Sequence, residues 1–224
     1  MRALFHLADY SQHDTLALAF RADGWLVDHS DAVDDLADWC GPSNVFDVIV
    51  TSSPAALRKL RLSGDTTPAV ILADLDLQQR IHALTVGADD VLATATNPTE
   101  LAVRCAAIAR RARGFGCSVI AAGPVTIDLH SKQVYAAGNA VHLTGKEYTI
   151  LETLIVRGRT QTKDDLMSAM YTPGADDEPE VKIVDVFVCK LRKKLRLAGV
   201  QNVIETCWGR GYRFSGADAG RAAA

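Results

Sequence analysis

The chain has 224 residues, 48% of them hydrophobic and 23% charged, with a formal net charge of -3. That length accommodates two modest domains, each with its own core, and the composition is that of a globular protein rather than a disordered or fibrous one. No run of about eighteen apolar residues occurs, and Arg2, Asp9 and His13 interrupt the N-terminus, so neither a membrane span nor a signal peptide is expected and the chain is assigned to the cytosol. Cys40, Cys105, Cys117, Cys189 and Cys207 are odd in number, widely spaced and without a C-x-x-C pair, and the six histidines are scattered. Neither a disulfide framework nor a metal site is expected, and no cofactor.

Residues 1–113 alternate strand-like runs with amphipathic segments. The strands read as 3–7 (ALFHL), 25–30 (WLVDHS), 46–51 (FDVIVT), 68–73 (PAVILA) and 90–94 (DVLAT). Five βα units of this kind predict an α/β fold with a parallel sheet covered on both faces. In such folds chemistry gathers beyond the carboxyl ends of the strands. Here those positions hold Asp9, Ser52 with Ser53, Ala73 with Asp74, and Thr94. A seryl hydroxyl is neither a good Mg²⁺ ligand nor a nucleophile unless a base activates it, and no His or Lys is among these positions. The aspartates suit helix capping.

Residues 114–121 (GFGCSVIA) read as a short linker. Gly114 and Gly116 lack the third glycine of a nucleotide-binding loop, Val119 taking its place, and no strand leads directly into them. From Gly123 onward, short alternating strands break at His130-Ser131 and Gly138-Asn139, which predicts a small antiparallel sheet. Thr144 and Glu147 form a capping box that opens a helix through Ile150, Leu151, Leu154 and Ile155. Thr162 caps a second helix with Leu166, Met167 and Met170 inward. Capping accounts for Thr144 and Glu147 without any catalytic role, and no catalytic constellation is expected.

Residues 180–198 (EVKIVDVFVCKLRKKLRLA) carry Val181, Val184, Val188, Leu191 and Leu195 on one helical stripe, with Lys182, Val186, Cys189 and Lys193 opposite. Residues 203–214 read as a hairpin with a Trp208-Gly209-Arg210-Gly211 tip. From Lys182 to Arg213 eight basic residues face two acids, Asp185 and Glu205, a local +6 in a chain that is -3 overall. Such a contrast points to a polyanion as partner. A long helix followed by a hairpin with Arg at its tip suits a winged helix, which sets a helix in the major groove and a finger in the minor groove of double-stranded DNA.

The segments LTGKEY (143–148), DEPEVKIVDVFVCKLRKKL (177–195) and IETCWGRGY (204–212) resemble the effector domain of OmpR/PhoB-type response regulators, nearest the CtrA-like cell-cycle regulators within that family. GADD (87–90) and the order of the N-terminal strands resemble a receiver domain more weakly. The resemblance implies a CheY/flavodoxin-like five-stranded receiver over 1–113, a linker over 114–121, an α+β winged helix over 122–216 and a disordered tail over 217–224. It also implies that Leu7, Ala8 and Asp9 stand at the family's acidic cluster, Ser52 at its phospho-acceptor aspartate, Ala73 at its Thr/Ser and Thr94 at its Lys. Of that machinery only Asp9 is kept, so the receiver is expected not to be switched by aspartyl phosphorylation. In the family the fourth helix, fifth strand and fifth helix form a two-fold dimer face; the matching charges are Arg80, His82, Asp89, Asp90, Glu100, Arg104 and Arg111. A homodimer that needs no phosphate is the expectation. The loop over 171–180, opening on Tyr171 and ending on Glu180, matches one that faces RNA polymerase in the family.

At DNA, Lys182, Lys190 and Lys193 are expected to reach phosphates or guanine edges, and Val186 a thymine methyl, with Cys189 on the same face. Asp185 is read as orienting Arg192 or accepting from cytosine. Thr206 is expected on phosphate, and Arg210 in a narrow minor groove. Trp208 stands where many members of the family carry arginine and is read as packing the wing against the helix. Two further readings stay open: a modulator that pairs with or competes against a CtrA-type regulator, and a receiver regulated by non-aspartyl phosphorylation or ligand binding.

Overall fold

The computed structural model describes residues 1–8, 13–30, 36–40, 46–171 and 180–215. The chain divides into two compact units, Met1–Ala112 and Arg113–Ala224. The first is built from β1 (Arg2–His6), α1 (His13–Ala22), β2 (Leu26–His29), α2 (Leu36–Trp39), β3 (Val48–Thr51), α3 (Pro54–Leu62), β4 (Ala69–Leu72), α4 (Leu77–Thr85), β5 (Asp90–Leu92) and α5 (Pro98–Ala112). Its strands lie in the order β2-β1-β3-β4-β5, all parallel.

Period-two alternation distributes each strand between two cores. Ala3, Phe5, Val48, Val50, Val70 and Leu72 join Leu16, Phe20, Trp25, Leu101 and Cys105 beneath α1 and α5. Leu4, Ile49, Ala69 and Ile71 face the other way, onto Leu36, Leu57, Leu60 and Ala83. Both faces are therefore covered, as the near-continuous apolar strands require. Ser53 caps α3 by accepting from Ala56 N–H at 3.2 Å, and Asp76 caps α4 reciprocally with Gln79 at 2.9 Å. Because β3, β4 and β5 are adjacent and parallel, the segments after their carboxyl ends, with Ser52, Ala73 and Thr94, lie at the same end of the sheet.

The second unit contains β6 (Val119–Ala122), β7 (Val125–Asp128), β8 (Gln133–Ala136), β9 (Asn139–Ala140), α6 (Gly145–Arg157), α7 (Lys163–Met170), α8 (Ile183–Leu197), β10 (Ile204–Cys207) and β11 (Gly211–Phe214). The first four strands make an antiparallel sheet in sequence order, and β10 and β11 pair as a hairpin. The expected linker is shorter than 114–121. Phe115 and Ile120 bury into this unit's core, and β6 already begins at Val119, its side chains alternating outward and inward against β7.

Helices α6, α7 and α8 pack on one another around Ile150, Leu154, Leu166, Val188 and Leu191. Glu147 accepts from Thr144 N–H at 2.8 Å at the start of α6, where a capping box is expected, and Thr162, expected as a cap, accepts from Asp165 N–H at 3.0 Å at the start of α7, where Asp165 completes a second box. Each fully buried leucine here contributes about 1.5–3 kcal/mol of transfer free energy.

Candidate nucleic-acid interface

Helix α8 has two chemically distinct faces. Val184, Val188, Leu191 and Leu195 are each no more than 1% exposed. Val181, expected on the same stripe, is exposed because it lies ahead of the first helical residue, where the 3.6-residue period does not operate. Lys182, Val186, Cys189, Lys190, Lys193 and Arg196 are all exposed. Lys182 approaches Glu180 at 3.9 Å, but both side chains are more than 80% in solvent, where such a pair contributes little. Lys190, Lys193 and Arg196 have no ion-pair partner among the described residues.

Two charged residues of α8 do something other than expected. Asp185 binds the Lys163 ammonium at 2.7 Å and the Tyr212 hydroxyl at 2.6 Å, not Arg192. Those bonds, the lysine's first, hold its carboxyl below the usual range. Burial, then the bond to Asp185, pushes the Tyr212 phenol up to about 12. Arg192 turns toward the hairpin. Its guanidinium donates to Ile204 O at 2.7 Å and Thr206 Oγ1 at 2.9 Å, and lies 5.6 Å from the Tyr212 ring centroid. Arg192 thus braces strand β10 against α8, and its bond partly occupies the Thr206 hydroxyl as well. Lys194 turns back to the core, where its ammonium bonds the buried Glu147 carboxylate at 2.6 Å and His142 O at 2.9 Å.

The hairpin is fixed at its base. Gln161 and Tyr212 exchange backbone hydrogen bonds at 2.8 and 2.9 Å, which joins β11 to the segment leading into α7. Gly211 has φ +125, and a Cβ there would come within 1.9 Å of Gln161 O. Only glycine permits that approach. At the tip Arg210 N donates to Cys207 O at 2.9 Å across a turn containing Gly209 at φ +70. Arg210 is exposed and without an ion-pair partner among the described residues, and Thr206 is exposed on β10. Trp208 does not pack the hairpin against the helix. It is 89% exposed, because the three-residue tip carries it beyond the reach of the bracing contacts.

Between the second half of α8 and the segment 200–204 lies a cleft of about 570 Å³, whose lining includes Cys189, Arg192, Lys193, Arg196, Gln201 and Asn202. Its charged lining combines the Lys193 ammonium and the Arg192 and Arg196 guanidinium groups with the Asp185 carboxylate. Helix and hairpin together form a cationic surface with a fixed projecting finger.

In the N-terminal unit the strand-end residues make contacts of a different kind. Ser52 Oγ accepts from Ala8 N–H at 3.0 Å, and Ala73 N donates to Leu92 O at 3.0 Å. Thr94 donates from its backbone N–H to Asp74 Oδ1 at 3.1 Å and from its hydroxyl to Asp74 Oδ2. Asp9 and residues 172–179 of the expected polymerase-facing loop lie outside the described residues. Of the charges expected at a dimer face, Arg80, His82 and Arg111 are exposed. Arg104 bonds Glu100 at 2.8 Å and Asp90 at 3.2 Å, and Asp89 lies 3.9 Å from Arg61. Beside them Leu77, Ile81 and Leu84 form an exposed apolar stripe on α4, with Val103 exposed on α5.

A doubly covered parallel α/β unit joined to a helix-and-wing unit defines a two-part regulator: a receiver fold followed by a winged-helix effector. Residues 138–214 match the family described as transcriptional regulatory protein, C terminal. The cell cycle response regulators CtrA of Brucella ovis and Brucella anthropi are each 39% identical over 229 residues, covering 98% of this chain and 97% of theirs. The chain belongs to the OmpR/PhoB-type response regulators, in the family that contains CtrA. Among solved structures, the OmpR/PhoB homologue DrrB of Thermotoga maritima matches over 96% of this chain and 99% of its own, at 21% identity and a TM-score of 0.43. Among the described residues no helix is long and apolar enough to cross a membrane.

Proposed function

We propose that the chain is a cytoplasmic, sequence-specific DNA-binding transcription regulator whose receiver works without aspartyl phosphorylation. One observation carries the reading: α8, with the exposed Lys182 at its N-cap, turns Lys190, Lys193 and Arg196 outward beside a wing held at its base, with Arg210 at the tip. Lys182, Lys190 and Lys193 contact phosphates or guanine edges, Val186 and Cys189 lie against bases, Thr206 meets phosphate and Arg210 enters the minor groove. Arg192 acts by placing the wing. Enrichment of bound duplexes from a random pool tests this directly; a population with no shared sequence refutes it.

The receiver proposal rests on Ser52 at the acceptor position and on the bonds that already engage Ser52 and Thr94. Incubation with acetyl phosphate and Mg²⁺ is expected to leave the intact mass unchanged, and a gain of one phosphoryl group overturns it. The exposed stripe of Leu77, Ile81 and Leu84, with the mixed charges around it, supports a homodimer through α4, β5 and α5. Two copies then cover half-sites about one DNA turn apart. Sedimentation of the full chain as a monomer at tens of micromolar, with or without phosphodonor, argues against that role. Near-full-length similarity to CtrA supports a second reading, competition with a CtrA-type regulator at shared sites, which footprinting the two proteins together distinguishes.

A further inference from the structure

Trp208, at 89% exposure, is the most exposed large apolar side chain of the described residues. An exposed leucine is ordinary; an indole held in water at the end of a braced finger is not. The finger cannot fold back to cover the ring without breaking the Gln161–Tyr212 bridge, displacing Gly211 from its close approach to Gln161, or releasing Arg192 from Ile204 O. Within its own unit the ring is therefore left without cover.

Its surroundings identify the partner. Arg210, two residues on, is exposed and has no ion-pair partner among the described residues, and the exposed cations of α8 belong to the same unit. A polyanion that also offers apolar surface fits that combination, and duplex DNA does so: phosphates line the groove edges while deoxyribose faces form its walls. The minor groove is about 6 Å wide, narrow enough for a ring entering it to touch a wall.

We propose that Trp208 is a second groove-reading residue, which lays its indole along the deoxyribose wall of the minor groove that Arg210 enters and supplies the part of the wing's grip that salt does not screen. This rests on the duplex-binding reading above. Arg210 answers to the groove's negative potential, Trp208 to its width and wall shape, so the pair reads two different properties of one stretch of DNA.

The test uses the full chain and the duplex that it enriches from a random pool, titrated at several salt concentrations. Trp208→Ala is expected to weaken binding about ten- to a hundredfold, the scale of aromatic contacts to nucleic acid, with the slope of log affinity against log salt unchanged. Arg210→Ala instead lowers that slope by about one. Trp208→Phe retains most of the affinity. Because the side chain is exposed, the thermal unfolding of all three variants should match the parent, so a binding loss is not a folding loss.

Acrylamide quenching gives an independent readout. Trp25 is buried and Trp39 is common to parent and Trp208→Phe, so the quenchable emission present only in the parent belongs to Trp208. Added duplex should shield it. Parent-like affinity in Trp208→Ala, a fall in its salt slope, or an indole still fully quenchable in the complex overturns the assignment. In the first case the ring serves a protein partner instead. A parent that enriches no duplex refutes the DNA reading and this assignment with it, whereas a selective parent with an indifferent Trp208→Ala refutes the assignment alone.

Discussion

At the strand ends of the N-terminal unit, polar groups close on one another. Ser52 receives Ala8 N–H, Ser53 caps α3, and Asp74 takes both the amide and the hydroxyl of Thr94. On α8 only some charges are matched, Lys194 by Glu147 and the half-exposed Asp185 by Lys163 and Tyr212, while Lys190, Lys193 and Arg196 are left open to solvent. Partnered polar groups hold a fold, and unpartnered ones of a single sign await a ligand. The strand ends of one unit thus have their hydrogen bonds already made, whereas one face of α8 in the other leaves its cations in solvent.

The strongest way to break this picture is at the joint of the wing. Gly211→Ala forces a side chain into Gln161 O and holds alanine at φ +125, a cost of about 3 kcal/mol or more. Urea unfolding should show the C-terminal transition shifted and the N-terminal one unchanged; shifts in both would mean the units are not energetically separate. Next comes Arg210→Ala, expected to weaken specific duplex binding by about 1–3 kcal/mol without altering stability. Binding as tight as the parent's at moderate salt refutes its groove role.

Asp74→Ala probes the closed side. It leaves the Thr94 amide and hydroxyl without their acceptor and should destabilise the N-terminal transition by about 1 kcal/mol, with duplex affinity unchanged. The smallest effect is a separation by pH. His29, stacked on His13 at 4.8 Å, is held below the usual 6.5 first by burial and then by His13 and Arg21, against the pull of Asp28 and Asp14. A lowered histidine favours folding fully above about 6.5 and loses that contribution as pH falls through its folded value. In the second unit Asp185 and Glu147 are also held low; for Glu147 burial, the largest single effect, pushes upward, and the bonds from Lys194 and Thr144 together outweigh it. Their contribution is lost only as pH falls below the carboxylate range. On acidification, amide exchange should therefore accelerate first around His13 and His29; simultaneous loosening around α8 would count against the assignment.

Much of this was legible in the chain because it is local. The alternating strand runs, the capping box at Thr144, the cap at Thr162, and the Val184, Val188, Leu191, Leu195 stripe each depend on spacings of two, three or four residues. What escaped depends on partners distant in sequence. The bond from Arg192 to Ile204 O joins α8 to β10, and the partner of Asp185, read as Arg192 or a cytosine, is Lys163 of a different helix. The Thr94 hydroxyl meets Asp74 only because β4 and β5 are adjacent in the sheet. Trp208, read as packing the wing against the helix because it stands where many members of the family carry arginine, lies instead in solvent on the three-residue tip.

The close approach of Gly211 to Gln161 bears on how such a regulator could change its targets. The hinge of the finger admits no variation, but the residues at its end touch little of their own chain. Substitutions there should be nearly free of folding consequences while altering which duplexes are favoured. A lineage could thus retune promoter choice one fingertip residue at a time, with the scaffold beneath indifferent to each trial.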